Sequence, residues 1–238
     1  NGNVVSRYKE KGKKGLNQSV WNYRMEPTSP VRLKESDPGR YGSPDWGALV
    51  LPGTYSVTIH KMHSGELSTI ARPTAFKVNM LHDAQIVKAD KVALTQFINE
   101  VDNARRIIQA SGKQVGELKK QLDYMEQAIL QTPKADPTWL VDIHQLKRDI
   151  AEIETALHGD RTRGSREMES YPGISGRVET IVYNLYNHTE FSPSFEKESL
   201  AAALDEYQSV RPMIKSVEDK SATLTKKLTD AGAPYFPR

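Results

Sequence analysis

The stretch FINEVDNARRIIQASGKQVGELKKQLDYMEQAI, residues 97–129, decides the fold. Its apolar and small residues fall at Phe97, Val101, Ala104, Ile108, Ser111, Val115, Leu118, Leu122, Met125 and Ile129, in alternating steps of four and three. That spacing lines one stripe of an α-helix. The rhythm returns at Trp139, Ile143, Leu146, Ile150, Ile153 and Leu157. It returns again at Leu200, Ala203, Tyr207, Val210, Ile214, Val217, Ser221, Leu224 and Leu228. Three such stripes predict a bundle of long helices over the C-terminal two-thirds of the chain. A stripe of buried aliphatics carries no polar cluster for chemistry.

Breakers and caps set the boundaries. Residues 81–90 read as a linker, with Asp83 and Asp90 as candidate N-caps. The first helix is predicted over 91–131. Gly112 and Gly116 each weaken it by about 1 kcal/mol relative to alanine, yet the heptad phase passes through both. Thr132-Pro133 ends it, Asp136-Pro137 opens the second, and His158-Gly159 ends that one. Residues 159–173 form a basic, breaker-rich loop carrying Arg161, Arg163 and Arg166. A shorter helix over 174–188 shows Ile174, Val178, Ile181 and Leu185 on one side. Ser192-Pro193-Ser194 opens the last helix, 194–231, in which Pro212 predicts a kink. Gly232 and Pro234 stop it. The lengths suit an elongated antiparallel three-helix bundle whose middle rod is broken at 159–173; a four-helix bundle is the competing arrangement.

Residues 1–80 read as β, in about five strands. Residues 4–8 are a short strand and 19–25 alternate, with Trp21, Tyr23 and Met25 on one side. Residues 26–47 are irregular, with prolines at 27, 30, 38 and 44. Residues 48–51 and 54–60 resume the alternation, Ser64-Gly65 marks a hairpin turn, and 67–78 returns as the partner strand, interrupted at Pro73. The fold class is therefore α+β with two domains. Residues 1–83 read as a β-sandwich short of its N-terminal strands, which the resemblance given below makes Ig-like, and 84–238 as a long helical bundle.

The absence of cysteine excludes disulfides, a thiolate zinc site and a cysteine nucleophile. No run approaches the roughly 18 apolar residues of a membrane span. The first residues, Asn-Gly-Asn, read as the start of a piece of something longer. The net charge of +3 divides unevenly: residues 1–83 hold 12 Lys/Arg and 7 Asp/Glu, residues 84–238 hold 21 and 23. Arg7, Lys9, Lys11, Lys13 and Lys14 carry much of the excess. Lysines on a first strand keep a sheet edge from pairing with other chains, a reading preferred to nucleic-acid binding.

Candidate site residues are few. His60 and His63 lie three apart on a strand and so point to opposite faces, which argues against a metal pair. His82 and His144 have no third ligand in view. The carboxylates at 152, 154, 205, 206, 218 and 219 read as solvated helix faces. Two acceptor patterns for glycosylation occur, Asn17-Gln18-Ser19 and Asn187-His188-Thr189, and the pattern is common by chance. Trp21, Tyr23 and Tyr55 read as sandwich core. Tyr41 and Trp46, in the Pro/Gly loop, are the candidate carbohydrate-binding pair, able to stack on sugar rings. No catalytic residue, metal site or cofactor is expected.

Two segments carry a resemblance: Gly15-Leu16-Asn17-Gln18-Ser19-Val20-Trp21-Asn22-Tyr23-Arg24, and Ala48-Leu49-Val50-Leu51-Pro52-Gly53-Thr54-Tyr55-Ser56-Val57. They resemble the Ig-like module near the C-terminus of secreted bacterial glycosyl hydrolase-like proteins with sialidase-type or sortilin-type β-propeller (BNR) repeats. There a GLN-x-x-x-W-D-x-R strand leads through a variable loop to an A-x-PGTY-x-V strand. This chain has Asn22 for the usual aspartate and a longer loop. The resemblance implies an exported protein and a non-catalytic tail. The partners it implies are the upstream propeller and a protein or glycan, with any catalytic residues in the propeller.

Overall fold

A computed structural model describes residues 2–31, 46–79, 88–164, 166, 171–187 and 194–237. The chain is α+β. Its strands are β1 (Gly53–Val57), β2 (His60–His63), β3 (Glu66–Thr69) and β4 (Thr74–Val78). Its helices are α1 (Lys88–Gln131), α2 (Trp139–His158), the single turn α3 (Arg161–Gly164), α4 (Ile174–Asn187) and α5 (Ser194–Asp230). The chain clusters into two units, one of Asn1–Glu26 with Trp46–Ile98, the other of Pro27–Asp45 with Asn99–Arg238.

In the first unit β1 pairs with β4 and β2 with β3, giving two small antiparallel sheets. Tyr55 faces Phe76 in one ladder and Met62 faces Leu67 in the other. The two ladders lie along one hairpin. Between them Ile70 N–H donates to Ile59 O at 2.9 Å, and Pro73, which has no N–H to give, sits in the interruption. Ser64 and Gly65 turn the chain with φ of 50° and 85°, the two positive values of a type I′ turn.

The other expected strands differ. Residues 4–8 lie in no sheet; they are tied to Glu26, whose N–H donates to Val5 O at 3.1 Å and whose carboxylate accepts from Arg7 N–H. Residues 19–25 reduce to one bridge, Arg24 with Leu49. The cause is local. The Asn22 side-chain oxygen accepts from Arg24 N–H at 3.1 Å, an Asx-turn that leaves Tyr23 at φ 60°. A straight strand does not survive a left-handed residue in its middle.

In the second unit, the stripe residues of α1 from Val101 onward are buried, as are those of α5 and all of α2's except half-buried Trp139. Ile174, Val178, Ile181 and Leu185 of α4 are buried too. Cross-links give the directions. Lys119 pairs with Glu154 and Lys147 with Glu126, so α2 runs antiparallel to α1. Arg105 pairs with Glu179, and Asp102 accepts from Tyr186, so α4 does the same. Ser111 bonds Tyr207 and Gln121 accepts from Ser221, so α5 runs parallel to α1. The middle rod is therefore α2 followed by α4.

The break between them is closed at its base. A Cβ on Gly173 would lie 2.3 Å from Gly159 N, so only glycine permits this approach. α1 begins at Lys88, which puts Asp90 inside the helix, not at its cap; Asp83 lies outside the described residues. α2 begins at Trp139, two residues later than the Asp136-Pro137 reading implies. Asp136 Oδ1 still accepts from Thr138 N–H at 2.8 Å, closing the turn that leads in. Pro212 sits inside an uninterrupted α5. That helix ends with Ala233 N–H on Leu228 O and Gly232 N–H on Thr229 O, the paired bonds of a Schellman cap.

Candidate functional site

Residues of segments 15–24 and 48–57 gather in the first unit. Trp21 stands in the middle of an aromatic cluster, with ring centroids 5.4 Å from Tyr23, 5.7 Å from Tyr55 and 6.0 Å from Phe76. Its indole N–H donates to Arg24 O at 2.9 Å. The Tyr55 hydroxyl donates to Leu51 O at 2.6 Å, and burial raises its pKa. Ala48 and Val50 are buried beside the bonds Met25 N–H to Ala48 O and Val50 N–H to Tyr23 O, both 2.8 Å. The expected trio does come together, but not as a buried core: Trp21 and Tyr55 are half-buried and Tyr23 is exposed.

Arg24 connects this cluster to Trp46. Its guanidinium carbon lies 4.9 Å from the Trp46 ring centroid, and Nη1 donates to Gly47 O at 3.2 Å. A Cβ on Gly47 would sit 2.4 Å from Met25 O, so this crossing also requires glycine. Trp46 is 45% exposed. Tyr41, its proposed companion, lies outside the described residues.

A second polar constellation, which sequence reasoning missed, is built from α1, α4 and the segment at Thr28. Arg105 Nε donates to Glu179 Oε1 at 3.0 Å and its Nη1 to Thr28 Oγ1 at 3.3 Å. Gln109 Nε2 donates to the same Glu179 oxygen at 2.7 Å. The Tyr186 hydroxyl donates to Asp102 Oδ1. Asp102, Arg105, Thr28 and Tyr186 are all buried. Desolvation holds the Asp102 carboxyl above its ordinary value, against the pull of Tyr186, Arg105 and Arg106. Desolvation also raises the Tyr186 hydroxyl, with the Asp102 carboxylate adding to it. The only sequence signal is position: Asp102 and Arg105 each follow a stripe residue by one, at the margin where a helix face turns toward a neighbour. Each charge of the group is met by a hydrogen-bond partner, as in a structural network, while Gln109 Oε1 is buried without one among the described residues.

The remaining candidates are dispersed. His60 Nδ1 lies 3.1 Å from Thr69 Oγ1, and His144 Nε2 lies 3.8 Å from Glu126 Oε1; His82 is outside the described residues. Glu154, Glu206, Glu218 and Asp219 are held by Lys119, Arg177 and Lys215. Arg163 and Arg166 are exposed. Among the described residues no three or more His, Cys, Asp or Glu side chains are placed to hold a metal ion. No described helix is long and apolar enough to cross a membrane. A concavity of about 160 Å³ between α4 and α5, beside Arg177 and Phe195, is smaller than the roughly 300 Å³ at which ligand pockets begin. Another, of about 380 Å³, lies open beside Asp149, Glu152, Pro212, Met213 and Ser216.

Comparison with protein-family models, with curated proteins and with solved structures finds no match to this chain.

Proposed function

We propose that this chain is a non-catalytic structural or interaction module from the C-terminal part of an exported glycosyl hydrolase-like protein with a β-propeller, the parent being a candidate glycoside hydrolase. One observation carries the reading. The residues that bear the resemblance are consumed in holding the first unit together: Trp21 on Arg24 O, Arg24 on Trp46 and Gly47 O, Tyr55 on Leu51 O. The departure at Asn22 is chemically neutral on this reading. The turn uses one side-chain oxygen, which asparagine supplies as well as aspartate. In this proposal residues 1–83 form an incomplete Ig-like sandwich and 84–238 an elongated three-helix bundle that braces the propeller or presents a surface to a protein or glycan.

The test is the parent protein assayed with and without residues 84–238, together with the sequence encoded upstream of Asn1. Propeller repeats upstream and unchanged kinetics on truncation are expected. Upstream sequence of another kind, or turnover by this chain on its own, refutes the proposal.

A second reading is carbohydrate binding through Tyr41 and Trp46. It rests on the exposure of Trp46 at 45%, large for a tryptophan already engaged by an arginine. Trp46→Phe keeps an aromatic face and Trp46→Ala removes it. Glycan-array binding that survives the first and is lost in the second supports a stacking platform. Binding indifferent to both sinks it.

A further inference from the structure

Arg7, Lys9, Lys11, Lys13 and Lys14 stand against one acid, Glu10, and their pattern in the sequence reads as protection of a sheet edge. In the fold they have no edge to protect, because no residue from 2 to 23 belongs to a strand or bridge. Every residue from 7 to 20 is exposed.

The segment is nevertheless shaped. Asn17 Oδ1 accepts from Lys13 N–H at 2.7 Å, and its Nδ2 donates to Lys13 O and Gly15 O at 2.9 and 3.0 Å. Ser19 Oγ donates to Glu10 Oε1 at 3.4 Å. The chain from 10 to 19 thus doubles back, with Lys11, Lys13 and Lys14 at its tip. Beside them Leu16 is 96% exposed, with Val20 78% exposed behind it. A leucine held open to water among lysines is the pattern of an interfacial anchor. The apolar group gains by leaving water, and ammonium groups on flexible apolar stems reach anionic headgroups at the boundary.

The geometry points to the 10–19 loop as a docking element for an anionic lipid surface. Leu16 enters the headgroup–acyl boundary and Lys11, Lys13 and Lys14 sit on the headgroups, with Arg7 and Lys9 adding to the attraction. A soluble polyanion would engage the lysines equally well but would give Leu16 nothing to do.

The test is sedimentation of the full chain with phosphatidylcholine vesicles containing 30% phosphatidylglycerol or none, and separately its binding to dextran sulfate. Binding to the anionic vesicles, absent from neutral ones and weakened by added salt, is expected. Lys13→Ala with Lys14→Ala weakens it about 25-fold, at about fivefold per lysine. Leu16→Ala weakens vesicle binding about tenfold and leaves dextran sulfate binding as it was. These side chains are exposed, so far-UV circular dichroism should be unchanged in both variants. Failure to sediment with anionic vesicles overturns the proposal. So does a Leu16→Ala variant that binds them as the parent does, which would make the loop a polyanion site.

Discussion

Replacing Tyr186 by phenylalanine removes one hydroxyl from a buried pair and nothing else. Tyr186 is 5% exposed and its partner Asp102 is 8% exposed, so no water replaces the lost donor readily. A hydrogen bond to a charged group contributes about 1.5–3 kcal/mol net, and one between neutral groups about 0.5–1.5 kcal/mol. Where Asp102 is ionised, above its folded pKa, Tyr186→Phe should cost about 1.5–3 kcal/mol. Burial holds the Asp102 pKa above its unfolded value of about 3.9. Ionisation is thus disfavoured by folding. The penalty is full above the folded pKa, shrinks as pH falls through it, and is gone below the unfolded value. Over that window Tyr186 faces a neutral acid, and the cost of its loss should fall to about 0.5–1.5 kcal/mol. Asp102→Asn cannot ionise, so it should flatten this part of the pH profile. Urea unfolding followed by circular dichroism at 222 nm, from pH 7 to 3.5, measures both, with an unchanged m-value as the control. A Tyr186→Phe cost under about 0.5 kcal/mol at pH 7, or one that is the same at both ends, refutes the reasoning.

Leu122→Ala and Leu130→Ala make the same change in one helix. Leu122 is fully buried and Leu130 is 65% exposed, so urea unfolding should show losses of about 2–5 and under about 0.5 kcal/mol. Gly47→Ala forces a Cβ against Met25 O and should cost about 1–3 kcal/mol, with a changed near-ultraviolet tryptophan signal. Tyr207→Phe leaves the Ser111 hydroxyl buried without its 2.7 Å partner and should cost about 1–3 kcal/mol. Ser111→Ala in the same chain should recover part of that, so the double variant loses less than the sum of the singles in thermal melts.

The helices were legible because their signal is local and repeated. One face of Val101, Ile108, Val115 and Leu122 predicts itself, and Gly112 and Gly116 could not override it within α1. The first unit was less legible because period-two alternation does not record where the chain turns. Trp21 and Tyr23 read as strand neighbours, but a single Asx-turn at Asn22 reorients the backbone between them. Their proximity survived, with the rings 5.4 Å apart, while the strand did not. The Asp102–Tyr186 and Arg105–Glu179 pairs were invisible because their members lie 84 and 74 residues apart.

Local order settled which segments are helices, which face each buries, where the Ser64-Gly65 hairpin turns and that no thiol chemistry is available. These follow from side-chain periodicity and residue chemistry over a few turns of chain. Packing settled the rest: α5 parallel to α1 with α2 and α4 antiparallel, the glycine-closed break at 159 and 173, Arg24 laid on Trp46, and a lysine loop that guards no sheet edge. Each depends on which distant surfaces meet. Charges and rings carry no mark of their partners until burial selects among them.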